Sequence, residues 1–571
     1  TLFRSFIARY RKEVTGSLDE VQLAAIQQEL KKLQELDKRR ETVLHTIEEL
    51  GKMTPELRNR IENCWDPVEL EDIYLPYKPK RKTRASIARE KGLEPLATAI
   101  YEQRKQDAEH LAQMFLTVEV PTVELALQGA RDIIAEWISE DEQVRQKVRY
   151  AFRKGAQISS KLVRGKEEEA AKYQDYFAFS EPLKHCPSHR LLAMRRGEDE
   201  GFLRLSIEPD NEEVLNRLEH HLLRGHGEAT MQVKEALHDS YERLLAPSIE
   251  TEFRNEAKEK ADIEAINIFV ENLRQLLLAA PLGPRRVMGI DPGFRTGCKV
   301  VMLNEFGDLM HNTTIYPHPP NSDEYMARKI LQDNVEKYKI AAIAIGNGTA
   351  GRETMDLCKD IVFPHPVNIF QVSEAGASIY SASEVAREEF PDLDLTVRGA
   401  ISIGRRLMDP LAELVKLDPK NIGVGQYQHD VNQVKLKESL DRTVESCVNS
   451  VGVNLNTASK HLLTYVSGLG PSLAQHIVKY RTENGQFETR QQLKKVARMG
   501  EKAFEQCAGF LRIRGGTNPL DNTAVHPESY GIVERMAKDL GVIVPQLIAD
   551  PNLRKRIDLN KYVNEKVGLP T

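Results

Sequence analysis

Between Arg286 and Ser373 the chain stops reading as helix and breaks into five short apolar runs: "RVMGI", "GCKVVMLN", "LMHNTTIYP", "KIAAIAIG" and "VNIFQVS". "NEFGD" (304–308) joins the second run to the third as a turn. A helical stretch from Ser322 to Tyr338 separates the third run from the fourth, and another near Glu353 to Lys359 separates the fourth from the fifth. Helical runs follow at 377–389 and 398–417. Three antiparallel strands followed by alternating helices and strands predict a mixed sheet flanked by helices, with the first strand central.

The remainder reads as helix. "DEVQLAAIQQELKKLQELDKRRETVLHTIEEL" spaces Val21, Ile26, Leu30, Leu33 and Leu36 as a helical apolar stripe, and Thr54-Pro55 and Asp66-Pro67 are helix-start signals. From about residue 430 onward the chain is helical again, and no long-period repeat stands out. At 571 residues the chain exceeds what one hydrophobic core serves, so roughly three to five domains are expected. A net charge of −5 gives no global steering toward nucleic acid, so such binding must come from local basic patches. The six cysteines are far apart and form no CxxC pair, which argues against structural zinc and for reduced thiols in a cytosolic protein. No apolar run is long enough for a membrane span.

Asp291 closes the first strand in "VMGIDPGFRTG", Glu374 follows the fifth in "QVSEAGAS", and Asp409 lies in "GRRLMDPLAELV". Three carboxylates converging at the open edge of the sheet would hold Mg²⁺ or Mn²⁺ for phosphoryl transfer, because hard cations take oxygen ligands. The plainer alternative is that Asp291 serves the Pro-Gly turn and Asp409 caps a helix before Pro410. Asn347, ending the fourth strand in "AIAIGNGTAGRE", stands where nucleases of this topology use an acid. The Gly346, Gly348 and Gly351 loop admits either a phosphate or only a tight turn. "GIDPGFRTG" also resembles the first phosphate loop of actin-like ATPases, but no DxGGGT-like second loop follows, and "IGVGQYQHD" lacks its order.

"LNTASKHLLTYVSGLGPSLAQHIVKYRTENGQFETRQQLKKV" has the helix-hairpin-helix layout, with the turn at Gly468-Leu469-Gly470. Its glycines would let the backbone approach a phosphate while amides at the next helix N-terminus face the anion. "NGQFETRQQLKKVARMGEKAFEQCAGF" reads as a second copy turning at Met499-Gly500-Glu501, with Lys494, Lys495 and Lys502 adding positive charge. A plain helical hairpin ending in a C-cap glycine is the alternative. Near the start, "EDIYLPYKPKRKTRASIAREKGLEPLA" combines Tyr74 and Tyr77 with Lys78, Lys80, Arg81, Lys82 and Arg84, held extended by Pro76 and Pro79. Such a segment either stacks bases and contacts phosphates or is a solvated loop. "ARYRKEVTG" (8–16) carries the same ambiguity.

Several of these strings together, with "FIARYRKEVTG", "DPLAELVKLDPKNIGVGQYQHDV", "VNSVGVNLNTAS" and "FEQCAGFLRIRGG", resemble the bacterial Tex family of transcription accessory proteins along almost the whole chain. The resemblance implies a multidomain, mainly α protein with one α/β domain. Its expected parts are a helical N-terminal region with a helix-turn-helix-like part at 1–283 and a YqgF, ribonuclease H-like domain at 284–412. Tandem helix-hairpin-helix modules at 413–515 and a helical module at 516–571 follow. It also implies a C-terminal RNA-binding S1 domain, and no five-strand barrel pattern follows Gly516. The function expected is largely sequence-independent binding of RNA or DNA by a cytoplasmic monomer, with RNA polymerase or the ribosome as protein partners. The competing expectations are a metal-dependent nuclease using Asp291, Glu374 and Asp409, and a protein-interaction scaffold. Asn347 is the family's own residue in "IGNGTA", so the resemblance does not promise a working nuclease.

Overall fold

A computed structural model describes residues 3–79, 82–104, 107–564 and 567–570. The chain divides into two compact units, one of residues 27–265 and one of residues 1–26 with 266–571.

The 27–265 unit is helical around several small cores. Thr54 and Asp66 cap helices Pro55–Glu62 and Pro67–Tyr74 through their side chains, each with proline in the first turn. Of the apolar stripe expected on helix Glu20–Glu49, only Leu36 is buried, joining Val43, Ile47, Ile61, Leu70 and Tyr74 in one core. Val21, Ile26, Leu30 and Leu33 are exposed. The unit also holds a sheet where the sequence reads as helix: β1 (Gln157–Leu162), β2 (Ala178–Pro182) and β3 (Leu203–Glu208), antiparallel in the order β2-β1-β3. Its signal is short alternation, Ile158 and Ser160 in and Gln157 and Lys161 out, inside a long helical context. In the same unit Asp72 is buried between Arg145 and Arg149, and Glu252 completes the network.

The second unit contains the mixed sheet, with β4 (Val287–Asp291), β5 (Cys298–Leu303), β6 (Leu309–Ile315), β7 (Ala342–Gly346) and β8 (Asn368–Val372). Its order is β6-β5-β4-β7-β8, with β4 central, antiparallel to β5 and parallel to β7. Helix Leu395–Met408 lies against β4 so closely that a Cβ on Gly289 would come 2.5 Å from the Ala400 carbonyl oxygen. On the opposite face Met288, Ile290, Ile343 and Ile345 pack against Leu331, Val335 and Cys358 from the two crossover helices.

Downstream, two hairpins repeat at a constant offset of 30 residues that unaided reading of the sequence misses. Ser459 and Thr489, Leu463 and Leu493, Val466 and Val496, Leu469 and Met499, Gly470 and Gly500 occupy matching places. Ser459 and Thr489 cap the first helices. Leu469 N–H donates to Val466 O, and Met499 N–H to Val496 O, at 3.0 and 3.1 Å. Two short parallel strands, Val453–Asn454 and Leu511–Arg512, close the pair. All six cysteines are free thiols. No helix among the described residues is long and apolar enough to cross a membrane.

Candidate functional site

Parallel pairing of β4 with β7 sets Ile290 opposite Ile345, so Asp291 and Gly346 leave the sheet side by side. Glu374 follows β8, and its carboxylate fills the space above Gly346 and Gly348. A Cβ on Gly346 would stand 2.6 Å from Glu374 Oε2, and one on Gly348 would collide with Oε1. Asp291 Oδ2 in turn lies 3.1 Å from where a Gly399 Cβ would be, under the close-packed helix. Burial first, and then the Glu374 carboxylate, push Asp291 up to about 6, with Lys299 opposing. Asn347 Oδ1 accepts the Glu374 backbone N–H at 3.1 Å, so the amide at the nuclease position holds the Glu374 loop. Gly351 lets Gly346 O come close. The glycines of this loop therefore accommodate internal groups.

Asp409 does not join the pair. It lies at the other end of helix Leu395–Met408 and accepts the Ala412 N–H at 3.0 Å as the cap of helix Pro410–Leu414. Among the described residues no group of three or more His, Cys, Asp or Glu is placed to hold a metal ion. Two carboxylates, beside an amide already engaged with backbone, do not make the donor set expected from the sequence.

The Asp291 environment predicts a pH-dependent penalty. Ionisation is easier in the unfolded chain, at 3.8, than in the folded one, at about 6. Stability of this domain therefore falls as pH rises from about 4 to 6 and stays lower above. Asp291→Asn should stabilise the domain by about 1–3 kcal/mol above pH 6 and by nothing below pH 4. Denaturant melts at those two pH values check this, and an equal gain at both would contradict it.

The hairpin glycines divide into two kinds. Gly468, at φ +80°, packs on helix Glu501–Ala508, where a Cβ would meet Gln506 Cβ at 2.6 Å and Ala503 O at 3.1 Å. The structure thus assigns Gly468 to packing, and Leu469 is core. Gly470 and Gly500 begin helices Pro471–Asn484 and Glu501–Ala508, no side chain caps either, and nothing lies within 4 Å of their missing Cβ. The first-turn amides of both helices therefore have no side-chain cap, and Pro471 itself offers no N–H. Lys494 is engaged with Glu501 at 2.9 Å and lies over the Phe504 ring. Lys495 and Lys502 are exposed and carry no ion-pair partner among the described residues. Arg498 occupies the place of Gly468 in the second hairpin, exposed and at φ +65°. Only the 30-residue alignment would have singled it out in the sequence.

The basic N-terminal candidates change character. Tyr74 is 6 % exposed, inside the core with the Arg39 guanidinium 5.1 Å from its ring. Tyr77 packs partly buried on the same core. Leu75–Tyr77 is a 3₁₀ turn, so Pro76 does not hold the segment extended as expected, and Tyr74 is closed to base stacking. Lys78 and Arg84 are exposed, and Lys82 pairs with Glu90 at 3.6 Å. Lys80 and Arg81 lie outside the described residues. In "ARYRKEVTG", Arg9 donates to Asn449 O, Tyr10 to Gly509 O, and Arg11 pairs with Glu505 and Glu528, so this cluster is structural.

Family models match along the chain: the Tex-like protein N-terminal domain at 5–48, the Tex central region at 103–269 and the Tex protein YqgF-like domain at 285–408. A helix-hairpin-helix motif matches 448–512 and an HHH domain 518–571. The chain is 46 % identical over 575 residues to the transcriptional accessory protein Tex of Neisseria gonorrhoeae, covering 99 % of this chain and 75 % of that protein. It is 48 % identical over 585 residues to the protein tex of Bordetella pertussis, covering 99 % and 74 %. It is 33 % identical over 635 residues to the S1 RNA-binding domain-containing protein 1 of Homo sapiens, covering 99 % and 63 %.

Proposed function

This chain belongs to the Tex family, and we propose that it binds the phosphate backbone of RNA or DNA, largely without regard to sequence, through its two repeated hairpins. One observation carries the reading: two uncapped helix N-termini at Gly470 and Gly500 stand open at matching places, with Lys495, Arg498 and Lys502 exposed around the second. Backbone amides and cations of this kind grip phosphate oxygens and read no base edge. Helix Glu501–Ala508 packs against the first turn at Gly468, which sets Lys502 beside the first hairpin as well. The two hairpins are unequal. The first opens on Pro471 and Ser472, whereas Glu501 puts a carboxylate at the start of the second, where it opposes an anion. The first hairpin is therefore the stronger phosphate contact. The names of the relatives, a transcriptional accessory protein and an S1 RNA-binding domain-containing protein, support a role in transcription or RNA metabolism. The competing nuclease reading needs a third carboxylate beside Asp291 and Glu374, and Asp409 is engaged as a helix cap.

Gly470→Leu with Gly500→Leu tests the proposal. Both positions have backbone angles that any residue adopts and open space for the side chain. A helix-terminus anion contact is worth up to about 2 kcal/mol, so the double variant should lose about 10- to 100-fold in affinity for RNA and DNA with its melting temperature unchanged. The slope of affinity against salt should also flatten. Unaltered affinity in a folded double variant would sink the hairpin assignment. Gly468 is unsuited to this test, because its replacement strains the backbone and displaces helix Glu501–Ala508.

A further inference from the structure

The region matched as an HHH domain holds a third hairpin turn, Leu540-Gly541-Val542-Ile543, between helices Tyr530–Asp539 and Val544–Ala549. Gly541, at φ +70°, takes the place of Gly468 and Arg498. Leu547 N–H donates to Ile543 O just as Ala474 does to Gly470 O and Phe504 to Gly500 O. Ile543 therefore stands where the other two hairpins keep a bare glycine.

Two features set this turn apart from the other two. The Ile543 side chain stands 63 % exposed where they keep a bare glycine. Gln546 Oε1 already accepts the Ile543 N–H at 3.2 Å. What the module presents instead is apolar and basic. Ile548 is exposed on the same helix as Ile543 marks the start of. Arg554 donates to Leu547 O and Ile548 O, which seats Arg554, Lys555 and Arg556 at that helix's C-terminal end. Lys538 lies one helical turn before the tip. The nearby acids are engaged in local structure: Asp550 and Asp558 cap the following turns, and Asp539 accepts the Tyr562 hydroxyl. Two exposed isoleucines rimmed by cations that make no ion pair among the described residues are complementary to an acidic, apolar-faced polypeptide, whereas a nucleic-acid backbone has no use for the isoleucines.

We propose that the third hairpin is a protein-docking face, with Ile543 and Ile548 as apolar anchors and Lys555 and Arg556 as the charged rim, and that its partner is an acidic amphipathic helical segment of another protein.

The full chain is titrated by fluorescence anisotropy with a labelled helical peptide of about 18 residues, five turns carrying a leucine stripe and glutamates elsewhere. A second peptide with lysines in place of the glutamates is the control, and a labelled single strand of about 20 nucleotides is the other occupant. The acidic peptide should bind and the lysine peptide should not. Ile543→Asp, and separately Lys555→Glu with Arg556→Glu, should each weaken the acidic peptide about tenfold or more, as loss of an anchor or of rim charge does. Nucleic-acid affinity in these variants should change less than about twofold at physiological salt. Gly470→Leu with Gly500→Leu should leave the peptide bound, so failure here and failure of the hairpin proposal are distinguishable. All three substituted side chains are exposed, so a matching circular dichroism spectrum confirms the fold. The inference is overturned if the acidic peptide does not bind, if it binds both variants as tightly as the parent, or if Ile543→Asp weakens the nucleic acid instead.

Discussion

Arg490→Leu should destabilise the hairpin region by about 3–5 kcal/mol, because a buried guanidinium is removed and its partners stay buried. Arg490 is 1 % exposed and uses every donor it has. Nε and Nη2 donate to Leu511 O at 2.9 and 2.6 Å, and Nη2 also to Thr523 O at 2.6 Å. Nη1 reaches Val525 O at 2.8 Å and the Tyr530 hydroxyl at 2.7 Å. Asp521 accepts the Arg490 backbone N–H and the Tyr530 O–H, which closes the network. One planar fork thus ties the second hairpin to the segment that leads into the third. Leucine leaves the Thr523 and Val525 carbonyls without this donor and removes two of the bonds at Leu511 O, at a position 1 % exposed. Arg490→Lys keeps the charge but not the fork, and should still cost about 2 kcal/mol or more. The check is the denaturation midpoint of the region, followed by amide exchange at 490–530. Exchange protection equal to the parent's would show that the network contributes nothing net.

Asp72→Ala is the second large effect, again about 3–5 kcal/mol, now in the 27–265 unit. Arg145 Nε bonds Asp72 Oδ1 at 2.8 Å, Arg149 Nη2 bonds the same oxygen at 2.8 Å, and Arg149 Nη1 bonds Oδ2. Glu252 takes the outward side of both guanidiniums at 2.6 Å. Its partial exposure keeps it hydrated, so it cannot alone neutralise two buried cations. Helix Pro67–Tyr74, helix Glu142–Gly155 and the long helix at 246–277 meet at this aspartate. Asp72→Asn preserves shape and part of the hydrogen bonding and should cost about half as much. Thermal unfolding of the three proteins side by side orders these predictions. An alanine variant as stable as the parent would mean that water repairs the gap.

Hydrophobic periodicity made much of the architecture legible. The five runs from Arg286 to Ser373 form β4 to β8 in the expected topology; burial of the inner strands β4, β5 and β7 forces apolar continuity on them, while the edge strands β6 and β8 are largely open. The acids at the strand ends followed from that topology, and Asp291 and Glu374 do meet. Asp409 belongs to the same edge only if the helix that follows the sheet carries it back across that edge. Its actual place depends on where that helix breaks, and Pro410 turns the aspartate into a cap. The β1–β3 sheet is not legible in the sequence because six residues of alternation carry little signal between long helices. Tyr74 reads as an exposed aromatic among cations, yet it is buried in a core with Leu36, Val43 and Ile47 of helix Glu20–Glu49 and Leu57 and Ile61 of helix Pro55–Glu62, which sequence proximity does not reveal.

The hairpins divide the two kinds of information most sharply. Residue identity by itself pointed to turns at Gly468–Gly470 and Met499–Glu501, although the positive φ of the second falls on Arg498 and not on a glycine. Which glycine packs and which stays open was decided by tertiary structure alone. A bare Cα has the same chemistry in both roles, and only the neighbour that approaches it, helix Glu501–Ala508 at Gly468 and solvent at Gly470, tells them apart.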